Sequence, residues 1–318
     1  MASQGKPTHL TLGVSLGSGS ARGWAHIGVL NCLQESGVQV DAVAGSSIGA
    51  VVGGAFAAGC LRPLEERIRH LDLRSYLTLF DPVLPRGGLI AGARVRDFLR
   101  PVLPGWIQDL PIPFTVVATD VRAGRPCYLR RGPLLRAVRA SYSVPGIFRP
   151  VTWGDMRLLD GGLMQPLPVA PLREQGIDVV VAVDATRGLP SPSPPTAAAD
   201  QPTAQGGGEP SHPVAHRLME LARGPVELGR GLLAQNFRRN NEPNLFELLA
   251  YSLQLMEKEI TQLHLKAYPA DILIRPEVGH LHMFDFQRAG EAMDAGYEAA
   301  RAALPELRAR MAAMDGTG

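Results

Sequence analysis

A serine stands at the centre of the pentapeptide Gly45-Ser46-Ser47-Ile48-Gly49, which follows directly on the apolar run 40–44. A buried strand that turns sharply into a helix through the pattern G-x-S-x-G is typical of a nucleophile elbow, where the turn lifts the serine clear of the backbone. The N-terminus of the next helix then favours negative charge beside that serine. The pattern predicts Ser47 as a nucleophile, with Gly45 and Gly49 keeping bulk away from it. A tight turn without chemistry is the alternative.

A glycine-rich loop at residues 17–23 follows another apolar run, 10–16, and precedes a helix. Such loops bind anions through backbone N–H groups. A P-loop would end in Gly-Lys-Ser/Thr, and a dinucleotide-binding loop would need an acidic residue at the end of the second strand, where Ser47 stands instead. We interpret the loop as an oxyanion hole whose N–H groups, around Gly19 and Ser20, face Ser47. The residues assigned to it are Gly17, Ser18, Gly19, Ser20, Arg22 and Gly23.

Arg22 is the charged residue of this loop. It would brace the loop or bind a substrate phosphate, and a surface arginine on a first helical turn is the alternative.

The third candidate segment is Asp160-Gly161-Gly162, at the end of a short apolar run. A carboxylate followed by two glycines can approach another backbone closely, although an exposed Asp-Gly turn gives the same sequence.

Taken in order, the Gly-x-Gly-x-x-Arg-Gly loop, the G-x-S-x-G elbow and Asp-Gly-Gly resemble the bacterial patatin-like phospholipases, relatives of neuropathy target esterase. Residues 25–30, 118–120 and 140–146 agree with that resemblance, which covers about residues 8–186 and resumes near 270–300. One departure concerns the loop, because the family usually has three successive glycines where this chain has Ser18-Gly19-Ser20.

The resemblance implies a Ser-Asp dyad, with Ser47 as nucleophile and Asp160 as general base. It implies hydrolysis of a lipid acyl ester to a free fatty acid, without a cofactor or metal. An ordinary carboxyl group has a pKa of about 3.9. Asp160 can therefore act as a base only if it is desolvated and in direct hydrogen-bond contact with Ser47.

Histidines have no part in such a dyad. His26 is expected inside the first helix, and His280 and His282, with Asp285 nearby, lack a third ligand at a convincing spacing for a metal. A Ser-His-Asp hydrolase would need an essential histidine and an elbow in mid-chain, whereas Ser47 follows only the second strand. Another alternative is a regulatory or scaffolding protein that keeps the fold, has little activity and binds a partner through a helical insertion.

The elements that must position these residues alternate between strand and helix, which predicts an α/β three-layer sandwich with a mostly parallel sheet. The predicted strands are 10–16, 40–44, 114–119, 151–159, 177–183 and 271–275. The predicted helices are 22–35, 48–58, 63–71, 93–101, 133–141, 165–174 and 284–313. Asp120 ends a strand on the side of the elbow, where it would support the site or cap a turn. Phe148, Trp153 and Leu163 are candidates for the pocket wall.

The predicted organisation is a catalytic core at 1–186, a Pro/Gly-rich disordered linker at 187–213, a helical insertion at 214–268, and a returning strand and helix at 269–318. Apolar residues at helical spacing within 244–266 form a stripe. That stripe packs on the core, or it serves as a lid, a membrane contact or a docking face, so helices 214–266 are a candidate surface for a protein partner.

Composition limits the classes of function. The net charge is +2 and the chain has no long Lys/Arg run, which excludes a nucleic-acid role. The scattered Cys32, Cys60 and Cys127 indicate free thiols in a reducing compartment. The N-terminus lacks an apolar signal core, so we expect a cytoplasmic protein with transient contact at the inner membrane surface. The uncharged stretch 42–61 is long enough for a membrane span, but its elbow and glycines favour a buried strand and helix.

Overall fold

One sheet carries the fold in the computed structural model, which describes residues 10–71, 79, 92–186 and 245–315. Within these ranges the sheet has eight strands. They are β1 (Leu12–Leu16), β2 (Ala42–Ser46), β3 (Phe114–Asp120), β4 (Arg125–Leu129), β5 (Val151–Trp153), β6 (Met156–Asp160), β7 (Val179–Val183) and β8 (Ile272–Ile274). The α-helices are α1 (Ala25–Glu35), α2 (Ile48–Ala57), α3 (Leu61–Arg69), α4 (Ala93–Leu99), α5 (Leu134–Ser141), α6 (Ala170–Arg173), α7 (Leu245–Ala267) and α8 (Ala289–Asp315).

The strand order is β5-β6-β3-β2-β1-β7-β8, and β4 pairs with β3 beside this path. The five strands β3, β2, β1, β7 and β8 run parallel, while β4 and β6 are antiparallel to β3 and β5 is antiparallel to β6. Parallel strands place their carboxyl ends at one edge of the sheet, where ligand sites of open α/β folds lie. The predicted, mostly parallel sheet is confirmed.

Both faces of the sheet are covered, because successive side chains of its central strands enter two different cores. Val43 and Val181 belong to the larger core, which α1, α2, α5 and α8 cover. Ala44 and Val180 belong to a smaller core with Leu172 of α6. The buried strands are therefore apolar on both faces, as expected for a sheet between two layers of helices. This is the three-layer arrangement that the sequence predicts.

Several element boundaries differ from the predicted ones. The predicted strand 151–159 is a hairpin, because Gly154 turns the chain at a φ of 56° between β5 and β6. The predicted helix 165–174 is reduced to α6, since Pro166 and Pro168 interrupt its first half. The predicted helix 22–35 begins as a 3-10 turn (Ser20–Trp24) before α1. Strand β4 was not predicted from the sequence, because its residues are mostly half-exposed.

The chain returns to the main sheet after α7, where β8 pairs with β7. The predicted linker 187–213 and the first part of the predicted insertion, 214–244, lie outside the described residues. The stretch 42–61 forms β2, a turn and α2, and no helix in the described ranges is long and apolar enough to cross a bilayer.

Helices α1 and α8 cross at close range through a pair of glycines. A Cβ on Gly28 would collide with the carbonyl oxygen of Met293, and a Cβ on Gly296 would collide with that of Ala25. These collisions involve backbone atoms, which cannot move as a flexible side chain can. The crossing therefore requires hydrogen at both positions.

Gly296→Ala is expected to destabilise the protein by about 1–3 kcal/mol, because the added methyl overpacks the α1–α8 crossing. Gly290→Ala in the same helix is the matched control, since its nearest added contact is Arg69 Nη1 at 3.5 Å. The free energy of unfolding in urea measures both variants. Equal stability of the two would contradict the close crossing.

Candidate active site

Ser47 sits between β2 and α2 in a strained backbone conformation, with φ 56° and ψ −119°. Among the described non-glycine residues, positive φ angles occur only here and at Ser20. Such a conformation costs on the order of 1–3 kcal/mol and persists where packing imposes it. The strain raises the Ser47 side chain above the carboxyl edge of the sheet, as in a nucleophile elbow.

The elbow glycines allow three backbones to approach one another. A Cβ on Gly45 would collide with the carbonyl of Gly49, and a Cβ on Gly49 would collide with the carbonyl of Leu16 at the end of β1. Any side chain at either position would push β1, β2 and α2 apart. The G-x-S-x-G pattern is thus explained by packing around the serine.

Asp160 reaches Ser47 from the end of β6. Ser47 Oγ donates a hydrogen bond of 2.7 Å to Asp160 Oδ2, and the Gly162 N–H donates one of 2.7 Å to Asp160 Oδ1. Both side chains are buried, at 8% and 3% exposure. The structure brings together the two residues that the family resemblance selects, in direct hydrogen-bond contact.

Two hydroxyl groups and one backbone carbonyl hold this pair in place. The Ser47 N–H donates to Ser141 Oγ at 2.9 Å, and Thr119 Oγ1 donates to the Asp160 carbonyl at 2.7 Å. The Asp160 N–H donates to the Ser143 carbonyl at 3.0 Å. Sequence reasoning gave these residues no role, since the hydroxyls of Ser141 and Thr119 and the Ser143 carbonyl meet the pair only after α5 has packed against β3 and β6.

Burial controls the proton affinity of the carboxylate. Desolvation raises the pKa of Asp160 to about 7, against the opposing hydrogen bonds from Ser47 and the Gly162 N–H. A carboxylate of this basicity can accept a proton near neutral pH, which an ordinary aspartate does poorly. The environment therefore meets the condition for an aspartate base.

The glycine-rich loop leaves two N–H groups unused beside Ser47. The N–H groups of Gly17 and Ser18 donate to the carbonyls of Val183 and Pro166, at 3.1 and 2.7 Å, so they cannot bind an oxyanion. Those of Gly19 and Ser20 donate to no acceptor in the described part of the chain. The N–H groups that remain as candidate oxyanion donors are those of Gly19 and Ser20, the two that the sequence predicts.

Arg22 braces this loop from behind. It is only 2% exposed, and its Nε donates to the Leu281 carbonyl at 2.7 Å. The surface-arginine alternative is therefore wrong, and the bracing role is favoured over phosphate binding. A Cβ on Gly23 would collide with Ile48, so this glycine lets the loop pack against α2.

His26 holds the start of the loop. Its Nε2 lies 2.8 Å from the Gly17 carbonyl, and burial lowers its pKa to about 4, so the ring is neutral at pH 7.

His280 forms a surface hydrogen bond with Glu291 at 2.5 Å. No cluster of three His, Cys, Asp or Glu side chains suited to a metal occurs among the described residues. Asp120 caps a turn by accepting from the Arg122 N–H at 3.1 Å.

A narrow pocket with a cavity volume of about 50 Å³ opens above the pair. Of the predicted wall residues, Leu163 lines it. Phe148 instead stacks against Arg139, and Trp153 against Arg136. Among the described residues, its lining is Ser18, Gly19, Ser20, Ser47, Val144, Pro145, Asp160, Leu163, Leu253, Gln254, Glu257 and Met283.

These features define an α/β protein built around a serine at a nucleophile elbow, paired directly with a buried carboxylate. The sequence profile described as Patatin-like phospholipase matches residues 14–173, which is half of the chain. The chain belongs to the patatin-like phospholipase family.

Its relatives include longer proteins. An uncharacterised NTE family protein of Mycobacterium tuberculosis is 43% identical over 171 residues, which are 54% of this chain and 48% of that protein. A second one from the same organism is 32% identical over 300 residues, covering 92% of this chain and 46% of the relative. The lysophospholipase NTE1 of Cryptococcus neoformans is 34% identical over 185 residues, 54% of this chain and 11% of the enzyme. The chain thus spans about half the length of the mycobacterial relatives it matches.

Proposed function

We propose that this protein is a serine acyl hydrolase that cleaves lipid carboxylic esters through Ser47 and Asp160, releasing a free fatty acid. The observation that carries the proposal is the 2.7 Å hydrogen bond between Ser47 Oγ and Asp160 Oδ2. It lies in a pocket beside two unused N–H groups, those of Gly19 and Ser20. Membership of the patatin-like phospholipase family and a lysophospholipase relative support a lipid ester as substrate.

The proposed reaction has two acyl-transfer steps. Ser47 Oγ attacks the ester carbonyl while Asp160 accepts its proton, and the N–H groups of Gly19 and Ser20 stabilise the negative charge on the carbonyl oxygen. Collapse of the tetrahedral intermediate breaks the ester C–O bond, and Asp160 returns the proton to the leaving alcohol. Water, deprotonated by the same carboxylate, then hydrolyses the acyl-enzyme and regenerates Ser47.

This function predicts a particular pH dependence. Since the active base is ionised Asp160, kcat/KM for a neutral ester should rise with pH, with its half-maximum at about 7. Below that point the ionised fraction, and with it the rate, falls about tenfold per pH unit. An ordinary aspartate base would give a flat profile over this range. The test follows fatty-acid release from monoacylglycerol by the purified protein between pH 5 and 9.

The proposal would be overturned if the folded protein released no fatty acid from any monoacyl or diacyl ester and also reacted with no serine-directed probe. The regulatory alternative depends on the helical insertion, of which α7 is the described part. The dyad contact favours the hydrolase over that alternative.

We further propose that the protein is cytoplasmic and makes transient contact with a membrane surface. Binding of a protein partner by helices 214–266 is the alternative role of the insertion. Two observations support this. Cys32, Cys60 and Cys127 are free thiols, and α7 exposes Leu249, Met256 and Leu263, spaced by seven residues, at 51, 52 and 61%. Seven-residue spacing puts these apolar side chains on one helix face.

A further inference from the structure

A second carboxyl group shares the pocket with Asp160. Glu257 comes from the face of α7 that also supplies Leu253 and Gln254 to the pocket wall. A Cβ added to Gly162 would collide with Glu257 Oε1 and lie 3.0 Å from Asp160 Oδ1. The two carboxyl groups therefore flank the same glycine, and no step of the proposed reaction uses Glu257.

The charges that face Glu257 come from two other elements. Asp160 at the end of β6 repels its ionised form, while Arg22 behind the glycine-rich loop attracts it. The Arg22 guanidinium donates a hydrogen bond from Nε to the Leu281 carbonyl and also interacts electrostatically with Asp285. The Ser18 hydroxyl favours the ionised form of Glu257 as well, although its geometry falls short of a hydrogen bond.

The described pocket lining contains two carboxyl groups and no lysine, arginine or histidine. A substrate phosphate next to the scissile ester would therefore meet carboxyl groups in the described part of the pocket, because Arg22, the cation that attracts Glu257, is buried behind the glycine-rich loop. Charges interact more strongly in such a site than in water, because the effective dielectric constant is lower. A neutral ester meets no such repulsion.

We propose that Glu257 is a specificity-determining residue, which favours neutral acyl esters and disfavours esters with an anionic group beside the scissile bond. This inference rests on the proposed hydrolase function and names the substrate class of the same site. It commits to uncharged esters of the acylglycerol type as the preferred substrates.

The selection should strengthen at alkaline pH. Desolvation, followed by repulsion from Asp160, raises the pKa of Glu257 to about 8. Below that pH the group is mostly neutral and discriminates weakly. Above it the carboxylate is ionised and repels an anionic substrate.

The test compares a monoacylglycerol with the lysophosphatidylglycerol of the same acyl chain, whose phosphodiester stays singly charged between pH 7 and 9. We expect the ratio of their kcat/KM values, neutral over anionic, to increase about tenfold between these two pH values. Glu257→Gln should abolish that increase, and Glu257→Lys should reverse the preference. Glu259→Gln, an exposed glutamate on the same helix, is the matched control and should behave like the wild type.

The outcomes separate the two proposals. If the wild type hydrolyses neither ester, the preference for acylglycerol-type esters is overturned. The proposed function falls as well when the folded protein also releases no fatty acid from other acyl esters and reacts with no serine-directed probe. If the wild type hydrolyses both esters, and the ratio and its pH dependence are the same in wild type, Glu257→Gln and Glu257→Lys, the function stands and charge selection by Glu257 is overturned. Thermal unfolding of each variant confirms that a folded protein is compared.

Discussion

Ser47→Ala will lower the rate of ester hydrolysis by about 10⁵-fold or more, since serine nucleophiles in hydrolases contribute on that order. The reacting Oγ is lost, while the Cβ and the strained backbone are kept. A fluorophosphonate probe, which phosphonylates activated serines, should label the wild type at Ser47 and leave the variant unlabelled. Peptide mapping and the rate of fatty-acid release are the two measurements.

Ser46→Ala is the control for this experiment. The Ser46 hydroxyl is buried one residue away and has no hydrogen-bond partner in the described structure. Its removal should leave labelling and hydrolysis near wild-type levels. Labelling that persists in Ser47→Ala, or disappears in Ser46→Ala, would show that another serine is the nucleophile.

Asp160→Asn will lower kcat/KM by about 10⁴-fold, the order found when the carboxylate of a serine hydrolase is made neutral. The amide has nearly the shape of the carboxylate and can still accept from the Gly162 N–H. Its NH₂ group, however, faces Ser47 and cannot take a proton. Probe labelling should slow by a similar factor, which separates loss of the base from loss of substrate binding.

The stability of Asp160→Asn, unlike its activity, should not fall below that of the wild type. Because the pKa of Asp160 is raised in the folded protein, folding favours its protonated form, and this group's contribution to stability falls as pH rises from about 4 to about 7. Asp160→Asn lacks this titration, so it should be at least as stable as the wild type at pH 8. Asp120→Asn, at the end of β3, is the matched control, since Asp120 caps a turn. Activity of Asp160→Asn within tenfold of the wild type would exclude Asp160 as the base.

Local sequence patterns predicted much of this arrangement. The G-x-S-x-G turn, the glycine-rich loop and Asp-Gly-Gly each describe a short stretch of backbone, whose conformation depends mainly on neighbouring residues. The mostly parallel sheet followed from alternating apolar runs and helices. The G-x-S-x-G pattern predicts Ser47 as the nucleophile, and the family resemblance adds Asp160 as its base. Both roles stay predictions, although the structure brings the two side chains into contact.

The remaining features depend on contacts between distant parts of the chain. Ser141 receives the Ser47 N–H across 94 positions of sequence, and Glu257 enters the pocket from a helix beyond 187–244. Ser141 lies in the stretch 140–146 that agrees with the family resemblance, but nothing local shows that its hydroxyl accepts from Ser47. A glutamate on a polar helix is common and carries no local signal. The sequence pointed to the N–H groups around Gly19 and Ser20, and the structure adds the reason, since the N–H groups of Gly17 and Ser18 donate to the carbonyls of Val183 and Pro166.

The glycine-rich loop is hydrogen-bonded to a segment far beyond the region that the family profile covers. Ser20 Oγ donates to the Met283 carbonyl at 2.7 Å, the Ala21 N–H donates to the same carbonyl at 3.2 Å, and Arg22 Nε donates to that of Leu281. A fragment trimmed to residues 14–173 would keep Ser47 and Asp160 but lose all three of these hydrogen bonds. The minimal unit for expression or transplantation is therefore split along the chain, and it must include residues 281–283.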